Sequence, residues 1–149
     1  MFVLSLIVPV YNSQDTIIGT LISIVDKLPK YIDQNLIEII VVNDGSKDDT
    51  EELVKFFIKN NSFFSFKYLY QENQGLSVAR NSGLDSAIGE YIWFFDGGDI
   101  LIDDGLPTIF KHIVKREIDI VSFRNRTIVD GKPTDAFGCD FPVVRDLPL

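Results

Sequence analysis

The sequence predicts an α/β domain with a mainly parallel central sheet flanked by helices. Three observations carry that expectation. Short apolar runs of strand length take turns with segments whose apolar residues recur at helical spacing. The runs do not alternate apolar with polar residues, which is the pattern of strands buried on both faces. Polar residues and glycine follow the runs at once, as in Asn43-Asp44-Gly45-Ser46 and Asp96-Gly97-Gly98-Asp99. A chain of 149 residues suffices for one domain with a real core, and 46% hydrophobic content is ordinary for a soluble protein.

Leu4 to Tyr11 reads as the first strand, with Pro9 near its end because proline cannot donate to a ladder. Asn12 or Ser13 can cap a following helix, and Asp15 suits its first turn. Ile17, Leu21, Ile24 and Leu28 recur at helical spacing, and Pro29 ends that helix. Lys30 to Asn35 is a polar connector. Leu36 to Val42 is the second strand, stopping at Asn43-Asp44. Ser46 and Asp49 have capping-box spacing for a helix whose stripe is Leu53, Val54, Phe57 and Ile58, with Asn60-Asn61 as its stop. Phe66 to Tyr70 is a third strand.

Leu76 to Ala87 is the third helix, with small residues at Ala79, Ser82, Gly83 and Ala87 suited to close packing on a sheet, and Gly89 as its C′ residue. Tyr91 to Phe95 is an unbroken apolar strand, expected to be buried on both faces. Pro107 starts a fourth helix running to about Arg116. Ile118 to Phe123 is a fifth strand, and Arg124 to Val129 with Asp130-Gly131 suggests a hairpin-like extension. After Lys132 no periodic element is visible.

Right-handed crossovers put the C-terminal ends of parallel strands along one edge, where such sheets bind ligands. Tyr11-Asn12, Asn43-Asp44 and Asp96 to Asp99 would all stand there. Asp-Gly-Gly-Asp has the composition of a tight turn, so Asp96 and Asp99 could face one hard divalent cation, Mn²⁺ or Mg²⁺. The same composition also suits a solvated strand-to-loop turn. The net charge of −8 argues against a nucleic-acid partner but permits a metal-bridged anion. Neither a dinucleotide-binding G-x-G-x-x-G after a strand nor a P-loop is present. Asp44 could accept the N–H of a uracil or the hydroxyls of a ribose. Cys139 is the only cysteine, which fits a reducing cytosol, and the apolar N-terminus reads as a strand rather than a signal or anchor. Asp48 and Asp49 read as helix-start residues and His112 as a surface residue.

Four segments in order, Ile7-Val-Pro-Val-Tyr-Asn12, Ile39-Ile-Val-Val-Asn-Asp-Gly-Ser46, Gln71-Glu-Asn-Gln-Gly-Leu-Ser-Val-Ala-Arg-Asn-Ser-Gly83 and Tyr91-Ile-Trp-Phe-Phe-Asp96, give the chain its likeness. It resembles the nucleotide-binding half of family 2 glycosyltransferases over roughly Leu4 to Val121. The resemblance implies a Rossmann-like GT-A domain, here cut short at the C-terminus. Residues 1–123 would form the nucleotide-binding core of a single partial domain spanning 1–149, and 124–149 the start of the acceptor side. Pro9, Val10 and Tyr11 would lie against the base, Asp44 would bind the uracil ring, and Arg80 would be a cation near Asp44 or the diphosphate. Asp96 would open the D-x-D motif, touching ribose and metal.

The implied activity is inverting, metal-assisted transfer from a UDP-sugar to a saccharide or lipid-linked acceptor in polysaccharide assembly. It would take place in the cytoplasm, at the inner face of the membrane in a longer protein, with homo-oligomers open. The general base would lie beyond Leu149. The family's third motif position is usually an acid, whereas this chain has Gly98; Asp99 is the residue that would take over. Two other readings stand beside this one. One is a nucleotide-sugar-binding module without metal chemistry. The other is a receiver-like signalling domain, which would need a lysine where Arg124-Asn125-Arg126 stands.

Overall fold

The computed structural model describes residues 2–102, 106–116, 119, 127–129 and 132–134. Four parallel strands form the sheet: β1 (Leu4–Val10), β2 (Ile37–Asp44), β3 (Ser65–Gln71) and β4 (Tyr91–Phe94), in the order β3-β2-β1-β4. The connecting helices are α1 (Ile17–Lys27), α2 (Thr50–Asn60) and α3 (Leu76–Ser86), and α4 (Leu106–Lys115) follows β4. A short antiparallel hairpin, β5 (Thr127–Val129) with β6 (Lys132–Thr134), stands where Asp130-Gly131 predicts a turn. The fifth strand expected over 118–123 lies outside the described residues.

Both faces of the two central strands are covered, and the period of two sorts their side chains between two cores. Leu4, Leu6, Val8 and Val10 of β1, with Ile37, Ile39 and Val41 of β2, pack beneath α1, α2 and α4 through Ile17, Leu21, Ile24, Val54, Phe57, Phe110 and Ile113. Ile7, Ile40 and Val42 face the other way and meet Ala79 of α3. Helix α3 lies so close that a Cβ on Gly83 would overlap the Ile7 side chain. Ala79 and Gly83, the two buried small residues of this helix, meet the packing requirement the sequence predicts, whereas Ser82 is half-buried and Ala87 lies just past the helix end.

Several boundaries differ from expectation, each for a physical reason. α1 begins at Ile17 because residues 12–14 reach across to the loop before α2. Leu28–Lys30 winds on as a 3₁₀ turn, so Pro29 tightens the helix end without stopping the coil. The Ser46–Asp49 capping box does not form; Ser46 Oγ accepts the Asn12 N–H, and Asp48 Oδ1 accepts the Thr50 N–H. Gly89 is no left-handed C′ residue. Its bare Cα is needed because a Cβ would stand 2.6 Å from both the backbone nitrogen and Oγ of Ser5.

β4 is buried on one face and only partly covered on the other, where Ile92 packs against the smaller core. Trp93 and Phe95 enter the larger core, whereas Phe94 is 42% exposed, because β4 is an edge strand among the described residues. At the strands' N-terminal end, the buried carboxylate of Glu38 accepts the Ser5 hydroxyl and the Ile88 N–H, with Lys67 Nζ 3.6 Å away. That network fastens the α3–β4 turn to the sheet at the edge opposite the strand C-termini.

Candidate active site

The C-terminal edge of the sheet is built around β1. Its neighbour β2 carries Asp44 one residue beyond the Val10–Asn43 pair, and β4 leads into Asp96 two residues beyond the Ile7–Phe94 pair. Asp44 and Asp96 thus stand on either side of β1, two strand spacings apart across the sheet and offset by two residues along it. One rim holds both carboxylates, and Tyr11 leaves β1 between them.

Asp44 is 3% exposed, and its carboxylate organises the loop after β3. Oδ1 accepts Gln71 Nε2 at 2.7 Å and the Gln74 N–H at 2.9 Å, and Oδ2 accepts the Gly75 N–H at 2.8 Å. Burial pushes its pKa up, but the hydrogen bonds from Gln74, Gln71 and Gly75 outweigh this and hold it below the ordinary value. Oδ2 keeps acceptor capacity for one further N–H or O–H. Gly45 and Gly75 have φ of +72° and +91°, and a Cβ on Gly45 would lie 2.7 Å from the Asn73 nitrogen. The Gln71 amide is fixed in turn by the Ser82 hydroxyl, which donates to Oε1 at 2.6 Å. Gln71, Gln74, Gly75 and Ser82 all lie in the motif from Gln71 to Gly83, but their convergence on Asp44 joins residues about thirty apart and has no local signature.

The loop after β1 is stitched to the loop after β2. Asn12, at φ +47°, accepts the Lys47 N–H on Oδ1, and the Ser13 N–H donates to Thr50 Oγ1 at 2.8 Å. Gln14 N–H donates to Asp48 Oδ2, and Gln14 Oε1 accepts the Asp49 N–H. Asp48 and Asp49 thus serve loop and helix start. Pro9 and Val10 are buried, so their side chains stand behind the rim and do not line it. Tyr11 is 47% exposed and offers the aromatic surface of that trio.

Asp96-Gly97-Gly98-Asp99 is the tight turn its composition predicts, closed by the Asp99 N–H donating to the Asp96 carbonyl at 3.0 Å. The Gly97 N–H donates to the Pro9 carbonyl, and the Thr16 hydroxyl donates to the Gly97 carbonyl. In a strand, one residue's N–H and C=O point the same way, so the missing N–H of Pro9 faces β4 just where that pairing ends. A Cβ on Gly97 would sit 2.5 Å from Val10 Cγ1 and 2.9 Å from the Pro9 oxygen. Only glycine lets this turn close onto β1.

Arg80 reaches Asp96, not Asp44. Its Nη2 donates to Asp96 Oδ1 at 2.7 Å and to Oδ2 at 3.0 Å, and the guanidinium lies 5.9 Å from the centre of the Phe94 ring. Asp99 is exposed, yet partial burial first, and the Asp96 charge second, push its carboxyl above the ordinary range. The donor set fits a divalent cation poorly. Asp96 is engaged on both oxygens, Gly98 brings no ligand, and among the described residues no three His, Cys, Asp or Glu side chains converge. The pairing of Asp96 with Asp99 around one ion therefore finds little support in the geometry. Among the described residues, no helix is long and apolar enough to cross a membrane.

A parallel sheet with polar groups from three strand ends on one rim defines an α/β protein with a candidate ligand site at the C-terminal edge of its strands. The sequence model described as Glycosyl transferase family 2 matches residues 5–137, and the chain belongs to that family. It is 40% identical over 117 residues to the glycosyltransferase GlyA of Streptococcus pneumoniae, covering 78% of this chain and 16% of that protein. It is 33% identical over 135 residues to TuaG of Bacillus subtilis, a putative teichuronic acid biosynthesis glycosyltransferase, covering 89% of this chain and 51% of that one. The chain thus spans well under two thirds of these curated relatives.

Among solved structures, TarS 1–349 of S. aureus in complex with UDP-GlcNAc superposes with a TM-score of 0.66 at 26% identity, over 83% of this chain and 36% of that one. A mannosyltransferase of Pyrobaculum calidifontis, in complex with GDP-Man and Mn²⁺, gives the same TM-score at 21% identity over 73% of this chain and 32% of its own, a likeness of fold. The fold is GT-A, as the sequence motifs imply.

Proposed function

We propose that the protein binds a nucleotide sugar, a UDP-sugar in particular, at the rim between Asp44 and Asp96. There it serves transfer of the sugar to an acceptor hydroxyl. The observation that carries this reading is the placement of Asp44, Tyr11 and the Arg80–Asp96 pair along one edge, on loops braced by side-chain hydrogen bonds. The remaining acceptor site on Asp44 Oδ2 suits the imide N–H of uracil. The exposed Tyr11 ring offers a surface for the base, and Arg80 offers a cation for the diphosphate. Transfer forms a bond from the acceptor oxygen to the anomeric carbon and breaks the bond from that carbon to the diphosphate, with inversion. The hydroxyl proton passes to a general base supplied from the acceptor side, which residues 124–149 would begin.

The named partners support the substrate class: TarS has been solved with UDP-GlcNAc and with UDP. The name of TuaG supports a role in surface polysaccharide assembly, with a saccharide or lipid-linked acceptor. Calorimetric titration with UDP, GDP and UMP tests the reading. Saturable binding that favours UDP, weakened at least tenfold in Asp44→Asn, is the expected result. Failure of all three nucleotides to bind would overturn it. A second reading, a nucleotide-sugar-binding module without transfer, is favoured by Gly98 at the usual acid position. Binding of UDP-sugar with no turnover on any acceptor, in the longest form of the protein, would select it.

A further inference from the structure

We propose that Arg80 is the resident cation of the Asp96 corner, so that the site takes a nucleoside diphosphate without a divalent metal. The inference rests on the nucleotide-binding reading above and concerns how that site neutralises the diphosphate. Three observations lead to it. The turn offers no side-chain ligand between Asp96 and Asp99, since both intervening residues, Gly97 and Gly98, are glycine. Asp96, the first acid of the turn, gives both oxygens to a single guanidinium nitrogen at 2.7 and 3.0 Å. A metal ion on Asp96 would have to displace that guanidinium or sit beside a like charge.

The third observation is that the fold itself places the guanidinium. Arg80 follows Ala79, which is fully buried in the smaller core, and lies one turn before Gly83, where α3 presses on Ile7 of the sheet. The Phe94 face supports its charge from below at 5.9 Å. Position along α3 is thus fixed by packing that no ligand supplies, and the side chain is 35% exposed toward solvent. Its donors are not used up. Both bonds to Asp96 leave from Nη2, and buried Nε has no acceptor. A guanidinium held by one nitrogen retains N–H groups for phosphate oxygens, and its planar fork suits them. In this arrangement Asp96 orients Arg80, and Arg80 meets the charge on the departing diphosphate.

The test is calorimetric titration of UDP and of uridine, each in EDTA and in Mn²⁺, on the wild type, Arg80→Gln, Arg80→Lys and Gly98→Asp. Uridine separates base recognition from diphosphate recognition. UDP affinity in the wild type is expected to agree within about twofold between EDTA and Mn²⁺. Arg80→Gln is expected to lose about tenfold or more for UDP and nothing for uridine, with Arg80→Lys in between. A Cβ at position 98 would meet only Thr16 Oγ1 at 3.9 Å, so the added acid fits, and Gly98→Asp is expected to gain Mn²⁺-enhanced UDP binding. Wild-type UDP binding abolished by EDTA, with uridine binding intact, would overturn the proposal and leave the nucleotide site standing. Unchanged UDP affinity in Arg80→Gln would overturn it too. Loss of both uridine and UDP binding in the wild type would remove the nucleotide reading and this inference with it.

Discussion

Removing the Asp44 carboxylate strips three donors of their acceptor at once: Gln71 Nε2 and the backbone N–H groups of Gln74 and Gly75. A buried donor left unpaired costs about 1–3 kcal/mol. The total is less than three times that, because Gln71 is half-buried and Gln74 and Gly75 are exposed, so water can reach the freed donors once the carboxylate is gone. Asp44→Ala is therefore expected to cost about 2–4 kcal/mol, or roughly 5–15 °C in melting temperature for a domain of this size. Asp44→Asn keeps one carbonyl oxygen, best used where two donors converge at Oδ1. Its NH₂ group then confronts the Gly75 N–H. Relief from burying a charge offsets part of that conflict, so about 1–2 kcal/mol is expected. Urea unfolding followed by fluorescence gives the measurement directly. Trp93, the single tryptophan, is buried against Phe95 and Phe110 and reports the core. Stability of both variants within about 0.5 kcal/mol of wild type would refute the view that Asp44 holds the loop.

Further outcomes follow from the same geometry. Because the folded pKa of Asp44 lies below its ordinary 3.8, its contribution is fully present above that pH and is lost as pH falls below it. Acid unfolding of Asp44→Asn should accordingly be shallower than that of the wild type over that range, and parallel curves would contradict this. Gly97→Ala, whose Cβ would press on Val10 and the Pro9 oxygen, should cost about 1–3 kcal/mol, whereas Gly98→Ala should lie within about 0.5 kcal/mol of wild type; equal effects in denaturant titrations would contradict the packing argument. Tyr11→Ala should weaken UDP about tenfold, since base–aromatic stacking contributes roughly 1–3 kcal/mol, and Tyr11→Phe should bind like wild type. A UDP affinity in Tyr11→Ala equal to wild type would place the base elsewhere.

The part of this molecule that could be read from sequence is the part set by period and strand order. Strand-length runs at Leu4 to Tyr11 and Leu36 to Val42, apolar but for a few residues such as Ser5 and Glu38, announced the central strands, and right-handed crossovers then obliged Asp44 and the Asp96 turn to share an edge. The same pattern misled at β4, where Phe94 belongs to an apolar run yet faces outward, since strand position within a sheet is not encoded locally. Pro9 and Val10, expected against a base, have buried side chains, with Gly97 packed against Val10 and the Pro9 carbonyl oxygen. Arg80 illustrates the remaining limit. Its helix was legible from the stripe of small residues, but choosing Asp96 over Asp44 depends on where α3 crosses the sheet.

The central claim is that one rim, from Asp44 past Tyr11 to Asp96, receives the nucleotide. Amide shifts in ¹⁵N-labelled protein titrated with UDP test it most directly. Changes should concentrate at Tyr11 to Ser13, Asp44 to Ser46, Gln74 and Gly75, and Asp96 to Asp99. Shifts confined to the outer edge of β3 or to the Glu38 end of the sheet, with those amides unmoved, would contradict it.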